Sequence, residues 1–131
     1  MIVLKPRIVF VMIGLNDFLW EEIPVELVAT HIQFIAARLA ANSIVPIVQS
    51  TLYVSNDTGK GVNSRIKVLN DLLRSWCAEN AITYLDLNNE FSMNDELLSR
   101  FSYDGVHLNR DAYVIWRGVI KEYVQPLSPD P

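Results

Sequence analysis

The segment Asp104-Gly105-Val106-His107 places a carboxylate three residues before an imidazole. A histidine accepts a proton from a nucleophile when one ring nitrogen is held protonated by an acceptor, because the other nitrogen is then free. Asp104 can be that acceptor, since the two side chains can meet over one turn, and Gly105 allows the backbone to bend at little steric cost. The spacing therefore indicates the acid and base part of a nucleophilic catalytic site.

A second polar segment, Gly14-Leu15-Asn16-Asp17, directly follows an apolar, β-branched run. An Asn amide at the carboxyl end of a strand can donate a hydrogen bond to an oxyanion, and such a donor is typically worth about 3 kcal/mol of transition-state stabilisation. Asn16 can equally be a turn residue that bonds its own backbone. Asp17 is expected to be structural, with its carboxylate accepting hydrogen bonds from nearby backbone amides.

Hydrophobic periodicity predicts the elements that position these segments. Short apolar runs rich in β-branched residues predict buried strands, and apolar residues at helical spacing predict amphipathic helices. Pro46 should lie near the beginning of its strand or at an edge. The predicted strands are 7–14, 44–51 and 81–87; the predicted helices are 24–41, one that ends near Asn80, a short one at 94–100, and a last one from the N-cap Asn109 with Tyr113, Trp116, Ile120 and Tyr123 on its buried side.

The alternation of strands and helices predicts an α/β fold, a three-layer α/β/α sandwich with a parallel sheet and right-handed crossovers. In such sheets polar chemistry collects beyond the carboxyl ends of the strands. Three predicted strand ends converge there and carry Asn16-Asp17, Ser50-Thr51 and Asp86. We therefore expect the functional site at that edge.

Length and composition limit the alternatives. A chain of 131 residues is the size of one domain. A formal net charge of −4 argues against nucleic acid as partner, because that binding depends on basic residues that neutralise phosphates. The apolar runs are too short to span a bilayer, and the N-terminus does not resemble a signal peptide, so the chain is expected to be cytoplasmic. A single cysteine, Cys77, excludes an intramolecular disulfide and is expected to be packed.

The strand followed by G-x-N-D in VMIGLND, and YDGVHLN followed by AYVIW, together resemble the SGNH hydrolases, also called GDSL-type esterases and lipases. The resemblance extends from about Arg7 to Val124. It implies a flavodoxin-like fold whose five strands have the order 2-1-3-4-5. This chain corresponds to strands three, four and five, so residues 1–126 would form a partial SGNH hydrolase domain without the first two strands, and residues 127–131 a C-terminal tail.

Residue by residue, the resemblance implies that Asn16 is an oxyanion-hole donor and that Asp104 and His107 belong to a Ser-His-Asp triad, with Gly14, Asp17 and Gly105 in the supporting turns. The family hydrolyses ester and thioester bonds through an acyl-serine intermediate and requires neither a metal nor another cofactor. Its substrates are acyl lipids, acetylated sugars and short-chain esters. The chain is therefore expected to be the C-terminal part of an ester hydrolase.

The family's G-D-S block with the nucleophilic serine, and the glycine of its second block, are not found ahead of the first predicted strand. The nucleophile is therefore unknown, and the chain by itself is expected to be inactive. Ser50 lies at a strand end but lacks the sharp, exposed turn that a nucleophile needs. Ser102 is expected to be a loop hydrogen-bonding residue.

Two other classes of function remain open. The first is a non-catalytic interaction module, because an apolar strand at 7–14 without a neighbour would be an open edge that invites a homo-oligomer or a complementing N-terminal segment. The second is a metal site built from carboxylates and imidazole. Its candidate ligands are Asp17, Asp86, Asp104 and His107. His31 is expected to be packed or hydrogen-bonded, and Trp76 and Trp116 to face the core.

Overall fold

A parallel sheet lies between two layers of helices in the computed structural model, which describes residues 2–57 and 61–125. Short 3₁₀ helices cover Ile2–Leu4 and Ser99–Phe101. In chain order the remaining elements are β1 (Ile8–Val11), α1 (Leu15–Leu19), α2 (Val25–Ala41), β2 (Val45–Gln49), α3 (Val62–Glu79), β3 (Thr83–Leu85), α4 (Asn88–Phe91), β4 (Ser92–Met93), β5 (Glu96–Leu97) and α5 (Arg110–Val124).

The main sheet has the order β1-β2-β3, and both strand pairs are parallel. The connection from β1 to β2 contains α2, and the connection from β2 to β3 contains α3. Among the described residues β1 pairs with β2 and with no other strand, so its second side is an open edge. The predicted α/β class with a parallel sheet is confirmed.

Pro46 is tolerated in the central strand because of where its ring nitrogen points. Backbone amides alternate between the two sides of a strand. The amide of Val45 donates to Arg7 on the β1 side, whereas that of Ser50 donates to Leu85 on the β3 side, so Pro46 faces the β3 side. Pairing with β3 begins at Ile47, one residue later. The missing donor therefore costs no ladder hydrogen bond, as expected for a proline near the start of a strand.

Each face of the sheet carries its own core. On one face α2 and α3 pack against Val11 and Val48 of the sheet through buried aliphatic side chains. On the other face α4 and α5 enclose a second cluster that includes Leu87, Phe91 and Ala112. The two clusters establish the predicted three-layer α/β/α arrangement. The buried helix residues on the first face include Val28, Ile32, Leu39, Ile66, Leu69 and Leu73.

The short helix predicted at 94–100 is wrong. The strands β4 and β5 form an antiparallel hairpin in which Ser92 pairs with Leu97. The two turn residues, Asn94 and Asp95, have φ values of 51° and 59°. Positive φ at both central positions matches the right-handed twist of a two-residue hairpin, and Asn and Asp tolerate this conformation better than most residues. Turn chemistry therefore prevails over the helical spacing of the apolar residues.

The last helix begins where predicted, and the Asn109 side chain accepts a hydrogen bond from the Ala112 amide at 3.1 Å. Its predicted buried side is only partly covered, since Tyr113 is 56% exposed. The ring of Tyr123 meets Phe10 of β1 edge to face, with centroids 6.5 Å apart. This end of the helix therefore lies over the open strand, and a sheet of three strands is too narrow to cover its whole apolar face.

Several single-residue expectations can be compared with the structure. Cys77 is buried, and burial raises the pKa of its thiol to about 11, which fits a packing role. His31 is exposed and its side chain makes no hydrogen bond to the described residues, so the expectation of a packed or hydrogen-bonded histidine is wrong. No helix of the described ranges is apolar and long enough to cross a membrane. The cytoplasmic location stays a prediction, and the predicted tail at 127–131 lies outside the described residues.

Asparagine side chains fix the backbone that follows β2. Asn70 accepts a hydrogen bond from the Thr51 amide and donates one to the Thr51 carbonyl, both at 2.9 Å. Asn63 holds Val54 in the same way, at 2.8 and 2.9 Å. Asn88 adds a further donor to the Thr51 carbonyl at 2.9 Å. The segment from Thr51 to Val54 therefore keeps one conformation without belonging to a strand or a helix.

Replacing Asn70 with alanine tests this arrangement. The Thr51 amide would lose its partner inside the protein, which typically costs about 1–3 kcal/mol. We expect Asn70→Ala to lower the free energy of unfolding by that amount in urea titrations. The matched control is Asn80→Ala, because Asn80 is exposed and its side chain donates only to Trp76. Equal effects of the two substitutions would contradict the proposed role of the buried amide.

Candidate active site

Asp104 and His107 form a hydrogen-bonded pair on a tight turn after the 3₁₀ helix. Oδ2 of Asp104 lies 2.6 Å from Nδ1 of His107. The other carboxylate oxygen accepts hydrogen bonds from the backbone amides of Val106 and His107, at 2.8 and 2.7 Å. Gly105 has a φ of 82°, a backbone conformation that favours glycine. Its carbonyl accepts a hydrogen bond from the Ser55 amide at 2.8 Å. The turn thus brings the two side chains together as their spacing predicts.

Hydrogen bonds keep Asp104 ionised. The hydrogen bond from the His107 side chain, followed by those from the His107 and Val106 amides, holds the pKa of this carboxyl well below its ordinary value. An ionised carboxylate can only accept hydrogen bonds, so the proton of a neutral His107 ring belongs on Nδ1. Nε2 is then unprotonated and can act as a base. The His107 side chain is 83% exposed, so this nitrogen is accessible.

The turn between β1 and α1 is shaped by close packing at Gly14. This residue has a φ of 121°, and a Cβ there would lie 3.0 Å from Leu69 and 3.4 Å from the Thr51 hydroxyl. That hydroxyl donates to the Ile13 carbonyl at 2.9 Å. Asn16 lies two residues beyond Gly14, in α1, and is exposed. Its amide group has no hydrogen-bond partner among the residues that the structure describes, so it is available to a ligand.

Asp17 differs from its expected role. It lies in the first turn of α1, but no side chain caps this helix, and none of the described backbone amides donates to the Asp17 carboxylate. A negative charge in the first turn still interacts favourably with the helix dipole. The carboxylate therefore supports α1 through its charge and not through the predicted hydrogen bonds.

Asn16 and His107 line one cleft at the carboxyl edge of the sheet, with a volume of about 480 Å³. Its walls come from the β1–α1 turn, the segment after β2, the Asp104–His107 turn and the start of α5. Polar groups contribute to the lining, but apolar and aromatic side chains form the larger part of it. The other lining residues are Met12, Ile13, Gly14, Leu15, Asp17, Thr51, Leu52, Val106, Leu108, Tyr113 and Trp116.

An aromatic wall on α5 is a part of the cleft that the sequence did not reveal. The rings of Tyr113 and Trp116 are stacked, with centroids 5.7 Å apart and planes 19° from parallel. The indole N–H of Trp116 donates to Oε1 of Gln49, a buried residue at the end of β2, at 2.8 Å. The sequence does contain one signal for this contact, which is a glutamine at the end of an otherwise apolar strand. A buried amide needs a hydrogen-bond partner, so a polar contact was to be expected there.

Other candidate residues do not reach the cleft. Ser50 is fully buried and its hydroxyl accepts from the Leu87 amide at 2.9 Å, so it cannot attack a substrate. Asp86 pairs with Arg74 at 2.5 Å and accepts from the Asn88 amide, away from His107. Within the described ranges there is no group of three or more metal-ligating side chains. The alternative of a metal site that includes Asp86 is therefore wrong in its geometry.

Comparisons with known proteins show the family and the fold of this chain. The model of the GDSL-like lipase/acylhydrolase family matches residues 2–115. No curated protein sequence matches the chain. Among solved structures, a GDSL-like lipase from Bacteroides thetaiotaomicron superposes with a TM-score of 0.86 at 21% identity. That superposition covers 98% of this chain and 66% of the lipase.

Two esterases are also similar in fold. An acetylxylan esterase from Geobacillus stearothermophilus, solved as a catalytic mutant, has a TM-score of 0.75 at 16% identity and covers 93% of this chain. A carbohydrate acetylesterase from Sinorhizobium meliloti has a TM-score of 0.73 at 14% identity and covers 92%. This chain spans 61% of the length of each. All three solved proteins are therefore longer than the part that matches.

The ionised state of Asp104 has a consequence for stability that can be measured. Because its pKa is lower in the folded chain than the ordinary value of 3.8, its contribution is complete above that value and is lost as the pH falls towards the folded pKa. Asp104→Asn should therefore lower the urea midpoint at pH 7. The difference from the unmodified chain should shrink as the pH falls below about 4.

The control is Asp71→Asn, which changes an exposed carboxylate that accepts no hydrogen bond from the described residues. It should leave the pH dependence nearly unchanged. A stability difference for Asp104→Asn that is the same at pH 7 and at pH 3 would show that the carboxylate is not selectively stabilised in its ionised form.

Proposed function

This chain belongs to the GDSL-like lipase/acylhydrolase family, and we propose that it supplies the acid, base and oxyanion-binding groups of an ester hydrolase. The observation that carries the proposal is the 2.6 Å hydrogen bond from His107 to an ionised Asp104, beside a cleft that Asn16 also lines. In the proposed reaction His107 is the base, Asp104 orients it, and Asn16 stabilises the oxyanion.

The proposed chemistry follows from the free nitrogen of His107. A serine hydroxyl attacks the acyl carbonyl while its proton moves to Nε2, and the carbonyl oxygen becomes an oxyanion. The ester C–O bond then breaks, and Nε2 returns the proton to the departing alcohol. Water repeats the sequence on the acyl-serine, which releases the acid. Asp104 stabilises the imidazolium that forms in each half of the reaction, because the carboxylate is already ionised and in contact.

Asn16 is proposed as a donor to the oxyanion. Its amide is exposed on the cleft and has no partner among the described residues, so no internal hydrogen bond must break before it binds a ligand. Gly14 and Thr51 hold the preceding turn in place through close packing and the hydrogen bond to Ile13. A preorganised donor of this kind stabilises charge that develops in the transition state without a reorganisation cost.

We place the nucleophilic serine on a segment that pairs with the open edge of β1. Three observations support this placement: β1 pairs with β2 alone in the described chain, about a third of the matched lipase has no counterpart here, and Ser50 is buried. The acetylxylan esterase supports a serine mechanism, because its catalytic mutant replaces a serine by alanine. A strand added to β1 would end beside the β1–α1 turn that carries Asn16. The segment can belong to the same polypeptide or to another chain.

The proposed substrate is a small ester. The cleft combines His107 and Asn16 with the apolar Leu52 and with the stacked rings of Tyr113 and Trp116. An apolar wall suits an acyl chain, and an aromatic face suits the flat side of a sugar ring. Two of the similar proteins are a carbohydrate acetylesterase and an acetylxylan esterase, which makes acetylated sugars the first substrate class to assay. The apolar wall makes acyl lipids the second.

A second function, an interaction module without catalysis, is favoured by the same open strand. The segment Ile8–Val11 contains no charged residue that would discourage pairing, and most of it is only half-buried. Apolar edges of this kind pair readily with another chain. In this case the chain would form a stable complex through β1 and would show no esterase activity when a serine-bearing segment is restored.

The test is to join a segment that bears Gly-Asp-Ser, taken from a family member, ahead of the chain and to assay hydrolysis of p-nitrophenyl acetate. We expect activity that His107→Ala reduces on the order of 10⁴-fold or more, because the base is lost. Asn16→Ala should reduce kcat by about 10²–10³-fold, since one oxyanion donor is removed.

The matched control for the base is His31→Ala, because His31 is exposed on α2 and does not line the cleft. It should leave the activity unchanged. An active fusion whose rate does not fall in His107→Ala would contradict the assignment. A correctly folded fusion without activity would favour the interaction module instead.

A further inference from the structure

Ser102 is the buried member of the Asp104–His107 turn. It follows the 3₁₀ helix Ser99–Phe101 and is 8% exposed, in an extended conformation. Its hydroxyl oxygen lies 2.9 Å from the Gly105 amide, 2.6 Å from the His107 carbonyl and 3.2 Å from Oδ1 of Asp104. One side chain therefore contacts three of the four residues of the turn that carries the base.

The hydrogen-bond capacity of a hydroxyl determines how these contacts are shared. A serine hydroxyl has one proton to donate and two lone pairs to accept with. The proton is best placed on the His107 carbonyl at 2.6 Å, and a lone pair accepts from the Gly105 amide. Ser102 thus ties the beginning of the turn to its end. This leaves Oδ1 of Asp104 to the amides of Val106 and His107.

The turn depends on side chains for its closure. Among the described residues, the amides of Gly105, Val106 and His107 donate only to the Ser102 hydroxyl and the Asp104 carboxylate. The side chains of Asp104 and His107 are 55% and 83% exposed, so packing against residues outside the turn does little to restrain them. Of Ser102, Asp104 and His107, only Ser102 is buried, so the protein interior holds its side chain in place.

We infer that Ser102 is a positioning residue for the catalytic histidine, an inference that rests on the proposed function. By fixing the turn backbone, its hydroxyl keeps Oδ2 of Asp104 against Nδ1 of His107. The contact holds the neutral ring in the tautomer whose Nε2 is free. Without the hydroxyl the turn loses two hydrogen bonds, and the exposed ring can rotate away from the carboxylate.

The experiment measures the tautomer of His107 in the chain itself, so it requires neither the serine nor a substrate. The ¹⁵N chemical shifts of the ring nitrogens distinguish the two neutral tautomers, and His31 in the same spectrum is an internal reference. At a pH where the ring is neutral, His107 should be predominantly protonated on Nδ1. In Ser102→Ala the Nε2 shift should move towards the average of the two tautomers.

Two further variants show whether a change in the tautomer depends on the Ser102 hydroxyl. Ser102→Thr keeps the hydroxyl, suits the extended backbone of this residue, and should restore the shift of the unmodified chain. Asp104→Asn removes the acceptor and should change the tautomer whatever the role of Ser102. If Ser102→Ala does not fold, Ser102→Cys, which is similar in size and bonds weakly, is measured in its place.

The outcomes separate the inference from the proposed function. If Asp104→Asn shifts the tautomer but Ser102→Ala lowers only the melting temperature, then Ser102 is a structural residue and the inference is overturned. If neither substitution moves the tautomer, the Asp104–His107 pair itself does not act as proposed. If the His107 tautomer changes in both Ser102→Ala and Asp104→Asn and is recovered in Ser102→Thr, the positioning role is supported.

Discussion

The site depends on a carboxylate that must accept several hydrogen bonds at once. Asp104 receives the backbone amides of Val106 and His107 on one oxygen and the His107 ring on the other. The donors that close the turn are the same ones that keep the acid ionised, so the local fold and the ionised state of Asp104 have one cause. In our proposal Asp104 therefore serves both the turn and catalysis, although its side chain is more than half exposed.

The sheet determines where the remaining groups can lie. Its polar groups follow the carboxyl ends of the strands, and one side of β1 is open. The turn after β1 is held by Gly14 and by Thr51, and Thr51 is itself held by Asn70 from α3. Asn16, which we propose as the oxyanion donor, therefore follows a turn that is anchored to the core of the chain. The nucleophile belongs, in our proposal, to whatever pairs with the open strand.

The alternation of elements, the parallel sheet and the end of α2 at Ala41 were predictable, because buried parallel strands and amphipathic helices leave strong patterns in a sequence. The hairpin at Asn94 and Asp95 was not, since two polar residues that adopt positive φ look like an ordinary break within a helical pattern. The exposure of His31 and Tyr113 was also missed. Periodicity identifies one face of a helix, but it does not say how far the neighbouring sheet extends beneath that face.

The candidate site was also predictable only in part from the sequence. Asp104, His107 and Asn16 were identified from spacing and from the resemblance, and the expected loop hydrogen bonds of Ser102 are confirmed. The partners of Gln49 and Thr51 were not predictable, because only the folded chain creates those contacts. Our central proposal is that His107 activates a serine on a segment that pairs with β1. The most direct measurement is the rate at which a fluorophosphonate labels the serine of a Gly-Asp-Ser segment joined to the chain. We predict rapid labelling of that serine and a loss of labelling in His107→Ala; equal rates with and without the histidine would contradict the proposal.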